Sequence, residues 1–145
     1  MTRIRPMRDA DAAGVASLTT QLGYPVATDE LARRMADVRT HIDDHELLVA
    51  VDADDAAIGW IHVAMHPGLE VAGLAVIHGL VVDESARSAG IGAALVEAAE
   101  GWARSSGATT ILVRSRSARE RAHRFYERIG YVEVKISHVF EKRLV

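Results

Sequence analysis

The chain has 145 residues, of which 49% are hydrophobic and 26% are charged. This is the composition of an ordinary globular domain with a core of its own. The net charge of −3 argues against a partner that is nucleic acid or an anionic membrane, because proteins that bind either carry an excess of positive charge. The chain has no cysteine, so it has neither disulfides nor a thiol nucleophile.

Length and hydropathy predict a single domain over residues 1–145. The first six residues lack the apolar core of a signal peptide. The longest apolar stretch, residues 71–82, is interrupted by His78 and is too short to span a bilayer. We therefore expect a cytoplasmic protein without a membrane partner.

The first quarter of the chain predicts a short edge strand followed by two helices. Pro6 removes a backbone donor, which suits a strand at the edge of a sheet. Asp9 or Asp11 is suited to cap a first helix, which Gly23 ends. Thr28 is suited to cap a second helix.

The middle of the chain predicts a hairpin and a β-α-β unit. Two apolar runs, residues 46–52 and 58–65, flank a polar turn and are expected to pair in antiparallel fashion. A third run at residues 80–82 leads through a glycine-containing turn into a long helix, and a fourth strand follows at residues 110–113. The last two strands should be parallel, because a helix connects them.

The turn before the long helix is a candidate anion site. Gly90 and Gly92 lack a Cβ, so a ligand can approach the backbone closely there. The start of a helix presents bare N–H groups and the positive end of its dipole, which favours phosphate. Arg87 adds a fork of donors that matches phosphate oxygens.

The last quarter predicts a helix and two closing strands. Residues 119–129 carry apolar side chains at helical spacing, and Gly130 ends this helix. Residues 131–136 and 138–144 are then expected to form a pair of strands.

Two motifs carry a resemblance to a known family. Leu95 stands where a dinucleotide-binding loop needs its third glycine, and the loop has no P-loop lysine. Its pattern, Arg-x-x-Gly-x-Gly at residues 87–92, resembles the acyl-CoA pyrophosphate loop of the GNAT family of N-acetyltransferases. Residues 122–131, Ala-His-Arg-Phe-Tyr-Glu-Arg-Ile-Gly-Tyr, are similar to the later helix of that family. The resemblance covers nearly the whole chain.

The resemblance implies the α/β fold of the acetyltransferases. Its central mixed sheet is mostly antiparallel, contains one parallel, splayed strand pair, and is flanked by four helices. In this family the strand before the pyrophosphate loop is bulged, and Gly79 is a suitable place for that irregularity.

The implied cosubstrate is acetyl-CoA, and no metal is implied. The pantetheine arm, with its two amides, would add to the strand at residues 80–82 like a further β-strand. Arg119 stands where many members have an asparagine, and it is suited to bind a phosphate instead. His62 and His66 lie too far apart on a strand, roughly 13 Å, to share an ion. The implied binding residues are Leu80, Val81, Val82, Arg87, Ser88, Ala89, Gly90, Ile91, Gly92, Ala93, Arg119 and His123.

The resemblance implies Tyr126 as the acid that protonates the departing thiolate. A phenol with a pKa of ~10 can donate to a thiolate whose conjugate acid has a pKa of roughly 8.5. From the residues alone, an aromatic side chain of the apolar helix face is the favoured interpretation of Tyr126, and the resemblance reverses that preference. His78 and Glu70 are candidates for the base that deprotonates the amine. Each residue also has a structural interpretation. His78 is then a partly buried histidine that is hydrogen-bonded to backbone, and Glu70 is a solvated carboxylate in a loop.

The function that follows is transfer of an acetyl group to a primary amine, by direct attack in a ternary complex. A non-catalytic acyl-CoA-binding or regulatory domain of the same fold stays open, as does acetylation of a protein lysine or N-terminus. A small-molecule amine is favoured over a protein. Four acidic residues are suited to a cationic amine or belong equally well to the solvated surface. These residues are Asp37, Asp43, Asp44 and Glu70. Whether the protein forms a homodimer is a further open question, because the sequence does not determine whether the edge strands are capped or pair with a second copy.

Overall fold

The computed structural model of the chain describes residues 2–41, 43–87, 89–115 and 119–145. Ser88, one of the expected binding residues, lies outside them. The chain divides into two compact units, Met1–Val113 and Arg114–Val145. Each unit is described by itself below.

The described residues of the first unit form a sheet and three helices in the predicted order. Short 3-10 turns at Asp9–Asp11 and Glu84–Ala86 precede the first and third helices. The regular elements are β1 (Arg3–Pro6), α1 (Ala12–Leu22), α2 (Thr28–Arg39), β2 (His45–Val51), β3 (Ala57–Met65), β4 (Leu74–Val82), α3 (Ile91–Ser105) and β5 (Thr110–Val113).

The five strands form one mixed sheet in the order β1-β2-β3-β4-β5. The first three pairings are antiparallel, and β4 and β5 are parallel. This confirms the expected hairpin of β2 and β3, the mixed sheet and the parallel order of the β-α-β unit. The first strand of that unit is corrected: β4 begins at Leu74, and residues 74–77, not the predicted residues 80–82, pair with β5. The parallel register runs from Leu74 opposite Thr110 to Ile77 opposite Val113.

Helices cover both faces of the sheet. On one face, Trp60 and Leu47 pack against a cluster from α1, α2 and the segment before them. Gly59, the neighbour of Trp60 in β3, points to the opposite face because side chains alternate along a strand. A Cβ at Gly59 would lie 3.1 Å from Leu95 and 3.4 Å from Ile91, so α3 packs closely there. The buried cluster on the first face consists of Met7, Ala12, Val15, Ala16, Leu31 and Met35.

The predicted caps of the first two helices are corrected. The carboxylate of Asp11 accepts two bonds from the Arg5 guanidinium, at 2.7 and 2.9 Å, and one from the Arg8 N–H at 2.7 Å, and it does not cap α1. The reason is that Arg5 is only 8% exposed, and a buried cation needs a counter-charge. Thr28 is the first residue of α2 and not its cap. Gly23 ends α1 with a φ of 105°, as predicted.

The described part of the second unit, residues 114–115 and 119–145, contains one helix, α4 (Glu120–Arg128), and Gly130 follows it with a φ of 100°. Residues 131–145 form no helix or strand, so the predicted pair of closing strands is wrong for this structure. The alternation of apolar residues there predicted a buried face, but these side chains are 74–107% exposed. A strand gains its hydrogen bonds and its buried face only from a partner, and the pattern itself does not supply one. The exposed apolar residues are Val132, Val134, Ile136, Val139, Phe140, Leu144 and Val145.

Candidate active site

The strand β4 changes character at its middle. Its first half, Leu74–Ile77, is at most 7% exposed and pairs with β3 on one side and β5 on the other. The register with β5 stops at Ile77. In the described part of the first unit, residues 78–82 pair only with β3. We call residues 78–82 the open half of β4.

A bulge marks the start of the open half. His62 lies opposite Gly79 and Val63 lies opposite Ile77, so His78 is an extra residue in β4. A Cβ on Gly79 would lie 2.7 Å from the Trp60 ring, and only glycine fits under that ring. The structure therefore has the irregularity that was expected at Gly79.

The ladder determines which backbone groups of the open half are available to a ligand. The Asp83 N–H donates to the Ile58 carbonyl at 2.9 Å. Because alternate residues of an antiparallel strand point their polar groups toward the same neighbour, Val81 also points toward β3. Leu80 and Val82 then direct their N–H and C=O groups to the other side. These are the two residues expected to bind the pantetheine arm.

Arg87 is held close to the end of β4. Its Nε donates to the Val82 carbonyl at 3.4 Å, while its side chain remains exposed. The interaction fixes the guanidinium between the end of the open half and the start of α3. This is the position that a donor to phosphate oxygens needs.

The start of α3 is arranged for an anion. Gly90 occupies the N-cap position with a φ of +80°, and no described side chain caps the helix. Its carbonyl accepts the Ala94 N–H at 3.1 Å, so the N–H groups of residues 91–93 precede the first helical bond. A Cβ on Gly90 would meet nothing within 4 Å. Open space in front of bare N–H groups fits a diphosphate, and the exposed Ala89 adjoins it.

Three neighbouring strands bring together a histidine cluster that the sequence analysis missed. We call His45, His62 and His78 the histidine cluster; they lie in β2, β3 and β4. His45 Nδ1 and His62 Nε2 are 2.9 Å apart. The ring centroids of His62 and His78 are 4.8 Å apart, and those of His45 and His78 are 6.1 Å apart and stacked. The only sequence signal was one histidine in each of three strands, and contact depends on register and on the bulge.

The cluster perturbs its central member. Burial, reinforced by the neighbouring rings of His78 and His45, lowers the pKa of His62 to about 4. His62 is therefore a neutral imidazole at pH 7, with one nitrogen as donor and the other as acceptor.

The other base candidate, Glu70, lies in the exposed loop between β3 and β4. Near this loop is a cleft of about 360 Å³. Asp43 and Asp44 line it, whereas Glu70 and Asp37 do not. Two of the four acidic residues expected to suit a cationic acceptor thus share one cleft. The lining residues are Asp43, Asp44, Met65, His66, Pro67, Gly73, Leu74 and Ser106.

The remaining residues that the resemblance assigns to the site lie in the second unit. Arg119 precedes α4, and its carbonyl accepts the N–H of His123 at 3.1 Å. The Tyr126 ring contacts those of Phe125 and Tyr131, with centroids 5.1 and 5.7 Å apart. Burial raises the pKa of Tyr126 above its ordinary value, and Arg119 opposes the rise. Tyr126 is consequently a protonated phenol at neutral pH.

The described residues lack two further features. No group of three or more His, Cys, Asp or Glu side chains in the described ranges is arranged to hold a metal ion. Within those same ranges, no helix has the length and apolar character needed to cross a bilayer.

Comparison with known proteins decides the family. Residues 15–131 match the model of the acetyltransferase (GNAT) family. The chain belongs to this family. The match confirms the predicted family and an enzyme of the acetyltransferase class.

Individual relatives agree with this GNAT assignment. The chain is 28% identical over 146 residues to aminoglycoside N(6')-acetyltransferase type 1 of Klebsiella aerogenes, which covers 97% of this chain and 96% of the relative. The crystal structure of the aminoglycoside 6'-N-acetyltransferase AAC(6')-Ih from Acinetobacter baumannii is 21% identical, covers 100% of both chains and has a TM-score of 0.86. AAC(6')-Iy, solved with the bisubstrate analogue CoA-S-monomethyl-acetylneamine, is 20% identical, covers 99% of both chains and has a TM-score of 0.82. These structural likenesses confirm the acetyltransferase fold.

Proposed function

We propose that this GNAT-family chain transfers the acetyl group of acetyl-CoA to a primary amine, which attacks the thioester directly in a ternary complex. The observation that carries the proposal is the open half of β4 leading into the uncapped start of α3. Together they offer a row of backbone donors and acceptors followed by an anion site. A pantetheine arm that ends in a diphosphate needs these two features in this order.

The donor side of the proposal assigns each part of acetyl-CoA to backbone groups. Leu80 and Val82 bond the two amides of the pantetheine arm, because their polar groups point away from β3. The N–H groups of residues 91–93, together with Arg87, bind the diphosphate. Arg119 and His123 bind a further phosphate, which their positions before and in the first turn of α4 support.

The chemistry needs an acid and a base from the chain. The amine nitrogen bonds to the thioester carbon, and the carbon–sulfur bond breaks as the thiolate leaves. Tyr126 protonates that thiolate, since its raised pKa keeps it a phenol at neutral pH. His78 is the preferred base, because it lies in β4 two residues before Leu80. Glu70, in the exposed loop before β4, is the second candidate.

We propose a small cationic amine, of the aminoglycoside kind, as the acceptor. The names of the relatives support this class. The cleft near the start of β4 carries Asp43 and Asp44, which suit an ammonium group. Leu74, which lines the cleft, is four positions before His78, a distance of about 13 Å along a strand. A molecule of two or more sugar rings can span it.

Further parts of the proposal concern the whole chain. We propose that residues 1–145 act as one acetyltransferase domain, which the family match supports because it crosses the boundary at residues 113 and 114. The seven exposed apolar side chains at residues 132–145 support a homodimer. Light scattering of the purified chain tests whether it is a dimer.

A cytoplasmic location of the protein stays a prediction.

Calorimetric titration with acetyl-CoA and CoA tests the donor site, and thiol release tests turnover. The amine panel is neamine, spermidine, glucosamine 6-phosphate and a lysine peptide. We expect micromolar binding of acetyl-CoA and turnover on a small amine. Absence of binding would contradict the proposal. Turnover on the peptide alone would support a protein acetyltransferase, and binding without turnover would support a regulatory domain.

The role of Tyr126 has a matched control in the same assay. Tyr126→Phe removes the hydroxyl and should lower kcat by roughly 100-fold, as expected for the loss of a general acid. Tyr24→Phe makes the same change at a side chain that is 48% exposed and should leave kcat unchanged. Equal rates for the two variants would contradict the assignment of Tyr126 as the acid.

A further inference from the structure

We propose that the histidine cluster is a proton relay that takes a proton from the acceptor amine at the open half of β4 and delivers it to solvent beyond β2. The inference rests on the proposed function and assigns roles to His62 and His45, which act through His78. His78 is the group that meets the amine, and His62 and His45 are positioning and relay residues.

The geometry of the cluster gives the path. His78 is the extra residue of the bulge, and its ring lies 4.8 Å from that of His62. His62 Nε2 is in turn 2.9 Å from His45 Nδ1. The His41 ring, on the exposed turn after α2, lies 6.1 Å from that of His45. Four rings from four successive segments thus lead from the open half of β4, across the sheet, to the surface.

Exposure along the path fits a relay and does not fit a packed core. His78 and His41 are exposed, whereas His62 and His45 between them are half-buried. A structural histidine on an apolar face needs one hydrogen-bond partner, whereas further titratable rings in contact with it disfavour its charged form. The bulge that turns His78 toward His62 also leaves Trp60 lying tightly over Gly79. The sheet is thus distorted at the place where the rings meet.

The hydrogen-bonded link can pass a proton in either direction. With a lowered pKa, His62 is neutral at pH 7, so it accepts at one ring nitrogen while it donates at the other. Three charged or titratable groups adjoin His45: His41 from the turn after α2, Arg39 from α2 and Glu46 from β2 itself. The last two line a small cavity together with His45.

The protons balance. An ammonium acceptor loses two protons as it becomes an amide. One of them ends on the CoA thiolate, which leaves as a thiol when the carbon–sulfur bond breaks. The other appears in solution for each acetyl group transferred, and the relay carries this second proton. No oxidant, metal or further reactant takes part.

The pH dependence of His62→Gln distinguishes a relay from a structural role. With neamine as the amine and thiol release as the assay, we expect kcat/KM at pH 7 to fall roughly 10- to 100-fold, as for the loss of general base catalysis. The deficit should shrink as the pH rises from 7 to 9, because the fraction of neutral amine in solution grows by up to about 100-fold over two pH units. Acetyl-CoA affinity, measured by calorimetry, should stay within about twofold.

Two further variants keep the test decisive. His138→Gln changes an exposed histidine outside the cluster and should behave like the wild type. His45→Gln breaks the 2.9 Å contact from its other side and replaces His62→Gln if that variant does not fold. A deficit that is constant from pH 7 to pH 9, or no deficit, would overturn the relay. Absence of wild-type turnover on every amine would instead contradict the proposed function itself, and the relay with it.

Discussion

Polar groups near β1 are satisfied within the chain, whereas some backbone polar groups in the open half of β4 point away from any described partner strand. At the β1 end, Arg5 and Asp11 are only 8% and 7% exposed, and the guanidinium bonds Asp11 and Asp55. At the other end, the open half of β4 leaves the backbone of Leu80 and Val82 directed away from its partner strand. Polar groups satisfied within the chain stabilise the fold, and groups left available are suited to bind a ligand. We therefore expect changes at the first end to affect stability and changes at the second to affect acetyl-CoA binding.

The largest effect should come from Asp11→Asn at the β1 end. Removal of one charge leaves Arg5 buried without its main partner, which costs about 3–5 kcal/mol of unfolding free energy. Urea denaturation measures the loss. Asp29→Asn changes a carboxylate that is 77% exposed and should cost less than about 1 kcal/mol. A loss of similar size in both variants would contradict a special role of the buried ion pair in stability. A changed acetyl-CoA affinity of folded Asp11→Asn would contradict the expectation that this end of the sheet affects stability alone.

The same ion pair predicts an acid-dependent stability. The hydrogen bond from Arg5 lowers the pKa of Asp11 below its ordinary value. The pair's contribution is therefore complete above the pKa of Asp11 in the unfolded chain and is lost as the pH falls through the folded value. The stability difference between wild type and Asp11→Asn should narrow in this acidic range. A difference that stays constant down to pH 2 would contradict this account.

Gly79→Ala tests whether the bulge at the start of the open half contributes to acetyl-CoA binding. The added Cβ meets the Trp60 ring at 2.7 Å, so the bulge or the ring must move, at a cost of about 1–3 kcal/mol. We expect weaker acetyl-CoA binding together with this loss. Gly101→Ala, in α3, meets nothing within 4 Å and should be neutral or stabilise the helix by up to about 1 kcal/mol. If Gly79→Ala bound acetyl-CoA as the wild type does, the bulge would not form part of the site.

The lowered pKa of His62 predicts a smaller, pH-dependent effect on the free energy of unfolding. Its pKa is about 4 in the folded chain and ~6.5 in an unfolded one. The unfolded chain therefore binds more protons between these values, and stability falls as the pH drops through this window. We expect the wild type to lose about 1–3 kcal/mol more than His62→Gln between pH 7 and pH 4.5. Parallel pH profiles for the two proteins would show that His62 is not held neutral.

Gly90→Ala should give the smallest effect and separates strain from binding. The φ of +80° at this position costs a residue with a Cβ about 1 kcal/mol. Gly23→Ala introduces the same strain at the end of α1, where φ is 105°. Calorimetry should show several-fold weaker acetyl-CoA binding for Gly90→Ala alone. Equal affinities would contradict a diphosphate site at the start of α3.

Local patterns in the sequence predicted most of the first unit. Apolar runs and glycine stops located β1, β2, β3 and β5, and the bounds of β3 were correct to within one residue at each end, but β4 begins at Leu74, before the predicted run at residues 80–82. The bounds of α4, in the second unit, were also correct to within one residue at each end. The Arg5–Asp11 pair was not predictable, because it depends on the fold of the turn between them and not on periodicity. The closing strands were predicted wrongly, since the alternation around Val134 does not reveal whether another strand pairs with it.

The candidate site, too, was predictable from the sequence only where it depends on local features of the chain. The glycine turn and Arg87 were visible in the sequence because a phosphate loop is a local feature. The histidine cluster was not visible, because His45 and His62 meet through strand register and His78 joins them only through one inserted residue. The choice of Leu80 and Val82 as ligand-binding residues came from the family resemblance. The ladder now provides a physical reason for it.

Amide hydrogen exchange of the open half, followed by NMR with and without acetyl-CoA, tests the central claim most directly. The N–H groups of Leu80 and Val82 point away from β3, whereas that of Val81 points toward it. We predict that acetyl-CoA slows exchange at Leu80 and Val82 and at the first residues of α3, while Val81 is slow in both states. Binding of acetyl-CoA with unchanged exchange at Leu80 and Val82 would contradict the claim that the open half of β4 receives the pantetheine arm.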